Sequence, residues 1–351
     1  MVSWKLSKNR PKLFGKNLKK VQISYVHSVE TWYNIIIPKE YIKSHFKEEI
    51  KMTTITREAT WNKVGKDIKE ATSVKEALQI SGLDYEVVKA PIYLSNGHRI
   101  ENQFATKKKG TDDVFGIVGK DYTVVQNQDA FAFVDGIISE GLTFVKAGET
   151  SYMNYIIASL PDQYILDDQF KPYIIFQNSH AGATTLKAAI CPLRIICQNQ
   201  FTMAFRNSEN KISLRHCSSI HEKMDEAQHI LQFTASYMDK FNDMATRMAV
   251  NKISQEKVDK IIDQYFLVDD EASTRKANSI EEKKTIFLNA YNAEDNKNFK
   301  GTEWGLVNAF SDYITHLEPT RKTEKSNISK FVSITFNNGL MNNFIDMVKA
   351  I

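Results

Sequence analysis

The sequence predicts an α+β fold: twisted antiparallel β-hairpins with inserted helices, followed by a helical C-terminal half. Three observations predict it. Short alternating runs bounded by Gly, Asn, Asp and Pro fill the first part of the chain. From Glu222 onward apolar residues recur at three and four positions instead of two. Strands precede helices, the order of an α+β chain and not of alternating βαβ units.

The elements follow in order. Ser73 with Glu76 three residues on reads as a helix N-cap, and Gly82 stops that helix. Residues 85–94 alternate as a strand into the Asn96-Gly97 turn, and 99–106 return. After the basic turn Lys107-Lys108-Lys109-Gly110, residues 114–118 and 122–125 read as a further hairpin. Asn127 or Asp129 caps a helix with Phe131, Val134 and Ile138 on one face. Strands are expected at 142–145, at 152–160 up to Pro161, at 173–176 and at 185–196. Ala227, Ile230, Tyr237, Met238, Phe241, Met244 and Met248 mark a long helix over 222–248. Helices follow at about 254–266, 279–292, 302–316 and 338–350; residues 269–278 and 293–300 read as mobile connections and 320–326 as a charged loop.

The net charge of +4 is unevenly spread. Residues 1–51 hold eleven Lys/Arg and four Asp/Glu, a balance of +7, which leaves −3 for residues 52–351. Residues 47–52, Lys-Glu-Glu-Ile-Lys-Met, can be encoded by a ribosome-binding sequence at a workable distance before Met52. Met52 is therefore expected to be the native start, with 1–51 a basic extension, 52–217 a strand-rich core and 218–351 a helical region. No apolar run reaches the ~20 residues of a membrane helix, and a cytoplasmic location is expected. Cys191, Cys197 and Cys217 form no C-x-x-C pair, which fits a reducing compartment. His216, Cys217 and His221 match no zinc spacing, so no metal and no cofactor is expected.

No Walker loop, nucleophile elbow or H-E-x-x-H motif occurs. The residue types that remain are cations and carboxamides. Lys107, Lys108 and Lys109 on a turn, Lys187 and Arg194 in a strand, and Arg206, Lys211 and Arg215 in a further cluster are the groups suited to grip phosphates. Arg194, between Leu193 and Ile195, calls for an anionic partner. Lys187 and Arg194 are seven apart, on opposite faces of a regular strand. Asn178, His180, Gln198 and Asn199 are the polar residues placed to contact a ligand, although carboxamides at strand ends are more often structural.

Five segments carry a family resemblance: Trp61-Asn62-Lys63-Val64-Gly65, the run from Tyr122 through Asn127 to Phe131, Asn178-Ser179-His180-Ala181-Gly182, the run from Pro192 through Arg194 to Asn199, and Gly301-Thr302-Glu303-Trp304. Together, over about residues 52–351, the chain resembles the phage- and plasmid-related family called domain of unknown function nine-three-two. It departs at Asn62, where that family usually has His. The resemblance implies a mobile-element setting near replication and recombination genes, and a hairpin-and-helix pattern similar to phage single-strand annealing proteins. The expectation that follows is single-stranded DNA binding and annealing by a homo-oligomer without nucleotide hydrolysis. One alternative is an interaction protein that engages a host factor through an apolar patch on the Met-rich helix at 238–248. The other is a metal-dependent hydrolase using His180 with Asp162, Asp167 and Asp168.

Overall fold

The structure is a computed structural model that describes residues 57–350, apart from 151–152, 167, 183–185, 205–209, 215–219 and 338. The expected extension and the Met52 start lie outside the described residues, as do Arg206, Arg215, Cys217 and Asp167.

In chain order the strands are β1 (Lys66–Asp67), β2 (Val87–Tyr93), β3 (Arg99–Lys108), β4 (Val114–Gly119), β5 (Thr143–Glu149), β6 (Asn154–Ser159), β7 (Gln163–Ile165), β8 (Asp168–Asn178), β9 (Lys187–Arg194), β10 (Asn199–Gln200) and β11 (Lys211–Ser213). The α-helices are α1 (Val74–Ser81), α2 (Asn127–Phe131), α3 (Ile220–Val250), α4 (Gln255–Tyr265), α5 (Thr274–Tyr291), α6 (Glu303–Asp312), α7 (Glu324–Phe336) and α8 (Gly339–Ala350). The α+β expectation holds: antiparallel sheets, one curled as a half-barrel, are followed by a helical C-terminal region.

Eight strands form the larger sheet, in the order β1-β5-β6-β8-β9-β10, with β7 on β8 and β11 on β9; β2, β3 and β4 form a separate sheet. All of these pairs are antiparallel. Every residue of β6 is buried because both faces of the large sheet are covered. Ile156 and Ala158 feed a core shared with α1, α3, α4, α5, α6 and α8, whereas Tyr155 and Ile157 join Trp61, Leu193 and Phe331 on the other side. Around Phe201 the first core is aromatic: Trp304 stacks at 5.5 Å, and Phe170 and Phe241 lie at 5.7 and 5.6 Å.

Caps fix several boundaries. Ser73 accepts from Glu76 N and Gly82 ends α1 at φ 77°. The Glu76 carboxylate turns to Thr72, accepting from its N–H and hydroxyl at 2.8 Å each. Thr302 caps α6 by accepting from Gly305 N.

Several expectations are corrected. Residues 122–125 form no strand. β4 instead completes the small sheet, and at Val87 the Gln126 carboxamide takes the place of a strand by exchanging two 2.9 Å hydrogen bonds with the backbone. Asn127 does not cap a helix; it is buried, and after five residues α2 tightens into a 3-10 helix, Ala132–Glu140. Residues 274–278 belong to α5, started by Ser273 as N-cap. Residues 294–299 are a 3-10 helix pinned by buried Asn296, which donates to Tyr291 O and Gly305 O. Of the expected charged loop, residues 320–323 lie outside any helix, whereas 324–326 open α7, which had no counterpart among the expected helices. The strand expected at 185–196 ends earlier, at Arg194, and Cys197 lies in the turn that follows. Met238, Met244 and Met248 are core residues of α3, so the apolar docking patch expected there does not exist.

Candidate functional site

The small sheet and its turn carry three of the candidate cations, Lys107 and Lys108 half-buried and Lys109 exposed. Lys107 Nζ lies 3.3 Å from fully exposed Asp112, Lys109 Nζ 2.5 Å from Glu86, and Lys108 Nζ 4.0 Å from the centre of the Tyr85 ring. Surface pairs of this kind are worth about 0–1 kcal/mol and exchange readily for another anion.

Further along β3, Asn102 adopts φ 58° and the β2–β3 register skips between Pro91 and Tyr93. This bulge inverts the alternation. Arg99 and Phe104, an odd number apart, therefore share a face: Lys89 and Arg99 flank the Phe104 ring at 4.8 and 5.8 Å. The Lys89 ammonium is committed, donating to the carbonyls of Gly119, Lys120 and Tyr122 at 3.4, 2.6 and 2.9 Å. Arg99 has no ion-pair partner among the described residues. Its cross-strand neighbour Tyr93 is 58% exposed. A plain period-two reading separates Arg99 from Phe104, which is why the sequence did not nominate them.

Asn178 and His180 lie in a buried polar centre where the two sheets meet. Asn127 Oδ1 accepts from Asn154 Nδ2 (3.0 Å), Asn178 Nδ2 (3.2 Å) and His180 Nε2 (3.0 Å), while its own Nδ2 donates to Leu83 O. Those contacts fix the His180 tautomer with the proton on Nε2 and leave Nδ1 unpartnered. Burial lowers the His180 pKa to about 4, so the ring is neutral. Tyr85 adds its hydroxyl to Glu149 and Asn154 at 2.9 and 3.1 Å, and burial raises its pKa. Thr106 of the small sheet donates to His180 O at 2.6 Å. A cleft of about 170 Å³ lined by Asp84, Tyr85, Glu86, Gln126 and Asn127 reaches this centre. The centre joins α2, β6, β8 and β3, which is a structural use of the carboxamides.

Arg194, Gln198 and Asn199 lie in a second centre, beyond the far end of β9 from Lys187. Arg194 is buried. Its Nε binds Asp168, Nη2 donates to Asp295 O at 3.0 Å, and Nη1 faces Cys197 Sγ at 3.8 Å. The acceptors around Asn199 orient its amide nitrogen inward, donating to Asp312 Oδ1 (3.2 Å), His316 Nε2 (3.1 Å) and Cys197 O (3.3 Å). Gln198 takes the left-handed φ of 57° that forms this turn. Asp312 closes α6, and His316 follows in a π-helical turn, Tyr313–Leu317.

Burial raises the Asp312 pKa to about 6 against the opposing pull of Arg57, and lowers that of His316 to about 3. It lowers Lys330 on α7 to about 8 and raises the Cys197 thiol to about 12. A neutral imidazole beside an un-ionised thiol is not an activated nucleophile pair.

Lys187 is half-buried opposite Gln177 and Ser213. Thus Lys107 and Lys108 end β3, Lys109 follows in the turn, and Arg194 is withdrawn into a buried salt bridge. Among the described residues no three His, Cys, Asp or Glu side chains converge as metal ligands, so the His180–Asp162–Asp168 set is not assembled. No described helix is long and apolar enough to cross a membrane.

Compared with known proteins, residues 114–335 match the family described as Domain of unknown function (DUF932). No curated protein and no solved structure matches the chain.

Proposed function

The chain belongs to the DUF932 family, and from that premise we propose that it binds single-stranded DNA on the sheet β2-β3-β4, in a recombination or replication process of a phage or plasmid. One observation carries the reading: a cation–aromatic–cation stack (Lys89, Phe104, Arg99) stands beside exposed Tyr93 on a sheet whose other end carries Lys108, with Lys109 in the following turn and Lys107 on the Val114 face. Sequence-independent strand binders need this pairing of base-stacking rings with phosphate-binding cations. Tyr93 offers a free ring face, and Arg99 a guanidinium not committed to a carboxylate. Arg194 takes no part. A single sheet covers few nucleotides, so annealing rests on a homo-oligomer.

The test is fluorescence anisotropy of a labelled oligo-dT with the full chain over a salt series. Binding that weakens as salt rises, and a loss of tenfold or more in Tyr93→Ala/Arg99→Ala, is expected. No binding at low salt, or full binding by the double variant, overturns the reading.

One observation favours a second reading, a protein partner. On the opposite face of the same sheet, Val114 and Ile117 are 57% and 61% exposed on edge strand β4. An exposed apolar edge strand is suited to pairing with a strand of another protein. Val114→Lys/Ile117→Lys separates the two readings: it abolishes partner binding and leaves DNA binding in place.

A further inference from the structure

Asp312 and Asp295 converge on a single guanidinium. Arg57 Nη1 donates to Asp295 Oδ2 at 3.0 Å and Nη2 to Asp312 Oδ2 at 2.8 Å. The other oxygen of Asp312 is held by Asn199. The second arginine of this centre does not compete, because Arg194 uses Asp168 and the carbonyl of Asp295. Two carboxylates therefore bracket the two ends of one planar fork, a shape that an ammonium cannot fill.

The two sides of this contact lie far apart in the chain. Asp295, Asp312 and Asn199 lie within residues 114–335, whereas Arg57 lies outside them. The Arg57 side chain is one-third exposed, while that of Asp312 is 5% exposed. The guanidinium thus plugs an acidic recess from the solvent side. The segment that carries it is held by other means: Thr60 N donates to Gln200 Oε1 at 2.6 Å, and Trp61 packs on Tyr173 at 4.6 Å.

We propose that Asp295, Asp312 and Asn199 form a guanidinium-recognition site, filled within the chain by Arg57 and open to the arginine side chain of a peptide when Arg57 is withdrawn. The inference is independent of DNA binding. Occupancy by Arg57 is the resting state, and an arginine-bearing segment of a partner is the ligand class that fits.

The test is chemical rescue in the full chain. Arg57→Ala empties the recess and lowers the Tm by a few °C. Millimolar N-acetyl-L-arginine amide raises the Tm of this variant more than that of the wild type, N-acetyl-L-lysine amide does not, and the gain disappears in Arg57→Ala/Asp312→Asn. The gain is larger at pH 8 than at pH 5, because the recess binds the cation when Asp312 is ionised. Equal responses to the two amides, or rescue that survives Asp312→Asn, overturn the proposal. If Arg57→Ala does not fold, Arg57→Lys is assayed in the same way, and absence of an arginine-specific gain in it has the same force.

Discussion

Replacing Asp312 by Asn tests which force governs the second polar centre. The Asp312 carboxyl faces Arg57, Asp295, Arg194 and Asn199, and two effects oppose each other there. Desolvation favours the neutral acid; the Arg57 guanidinium favours the carboxylate. Burial wins, moving the pKa from 3.8 to about 6. A raised folded-state pKa means that the native protein holds this proton more tightly than the unfolded chain. The stabilisation is therefore present below the unfolded pKa and is lost as pH rises through the folded one. At 1.36 kcal/mol per pH unit the shift corresponds to about 3 kcal/mol, lost between about pH 4 and pH 6. Asn mimics the neutral acid and does not titrate. Urea denaturation of wild type and Asp312→Asn at pH 4, 5, 6 and 7 should show near-equal stability at pH 4 and a variant more stable by up to about 3 kcal/mol at pH 7. His316 does not confuse the comparison, since Asp312 is not among the groups that shift it. A gap that is constant with pH, or a wild type that gains on the variant as pH rises, would refute the dominance of burial and show that Arg57 and Asn199 overcompensate.

Other outcomes follow from the same geometry. His180 is held neutral with a pKa of about 4, so the native state loses stability as pH falls from about 6.5 toward 4, by about 3 kcal/mol. His180→Gln keeps the donor to Asn127 and should show a shallower loss in acid-unfolding curves. Gly305→Ala places a Cβ onto the Phe299 carbonyl in the first turn of α6 and should cost at least about 2 kcal/mol in denaturant midpoint analysis; a neutral result means that the 294–299 turn yields. Burial raises the Cys191 and Cys197 thiols to about 11 and about 12. Native protein should therefore release at most one thiol equivalent to a disulfide reagent until denaturant is added.

Periodicity made most of the fold legible. The three-and-four spacing from Ala227 to Met248 marks α3, and Ser73 and Gly82 bracket α1, because each signal is local. The failures have non-local causes. Residues 122–125 alternate like a strand, but the Gln126 side chain satisfies Val87 in their place. Residues 293–300 are polar enough to read as mobile, yet Asn296 is buried because two carbonyls need its amide. Met238, Met244 and Met248 could be read as a docking stripe only while their covering partners were unseen. At the candidate interface the lysine turn was legible, but Arg99 and Phe104 meet only through the bulge at Asn102. Arg194 was rightly expected to want an anion; its partner is an internal carboxylate, Asp168.

That last contrast bears on where any activity sits. Asn127, Asn154, Asn178 and Arg194 each bond segments remote in sequence, so taking any of them for a ligand costs the fold a buried hydrogen bond, about 1–3 kcal/mol each. Binding energy is more cheaply drawn from groups that hold nothing else. Arg99 and Tyr93 meet that condition: their side chains can be removed without orphaning a buried partner. Arg57 is the intermediate case: its own side chain is one-third exposed, but the Asp312 carboxylate it binds is buried. The physical division is therefore between a polar interior committed to holding two sheets and a helical layer together, and a peripheral hairpin sheet on which Tyr93 is exposed and Arg99 has no ion-pair partner among the described residues.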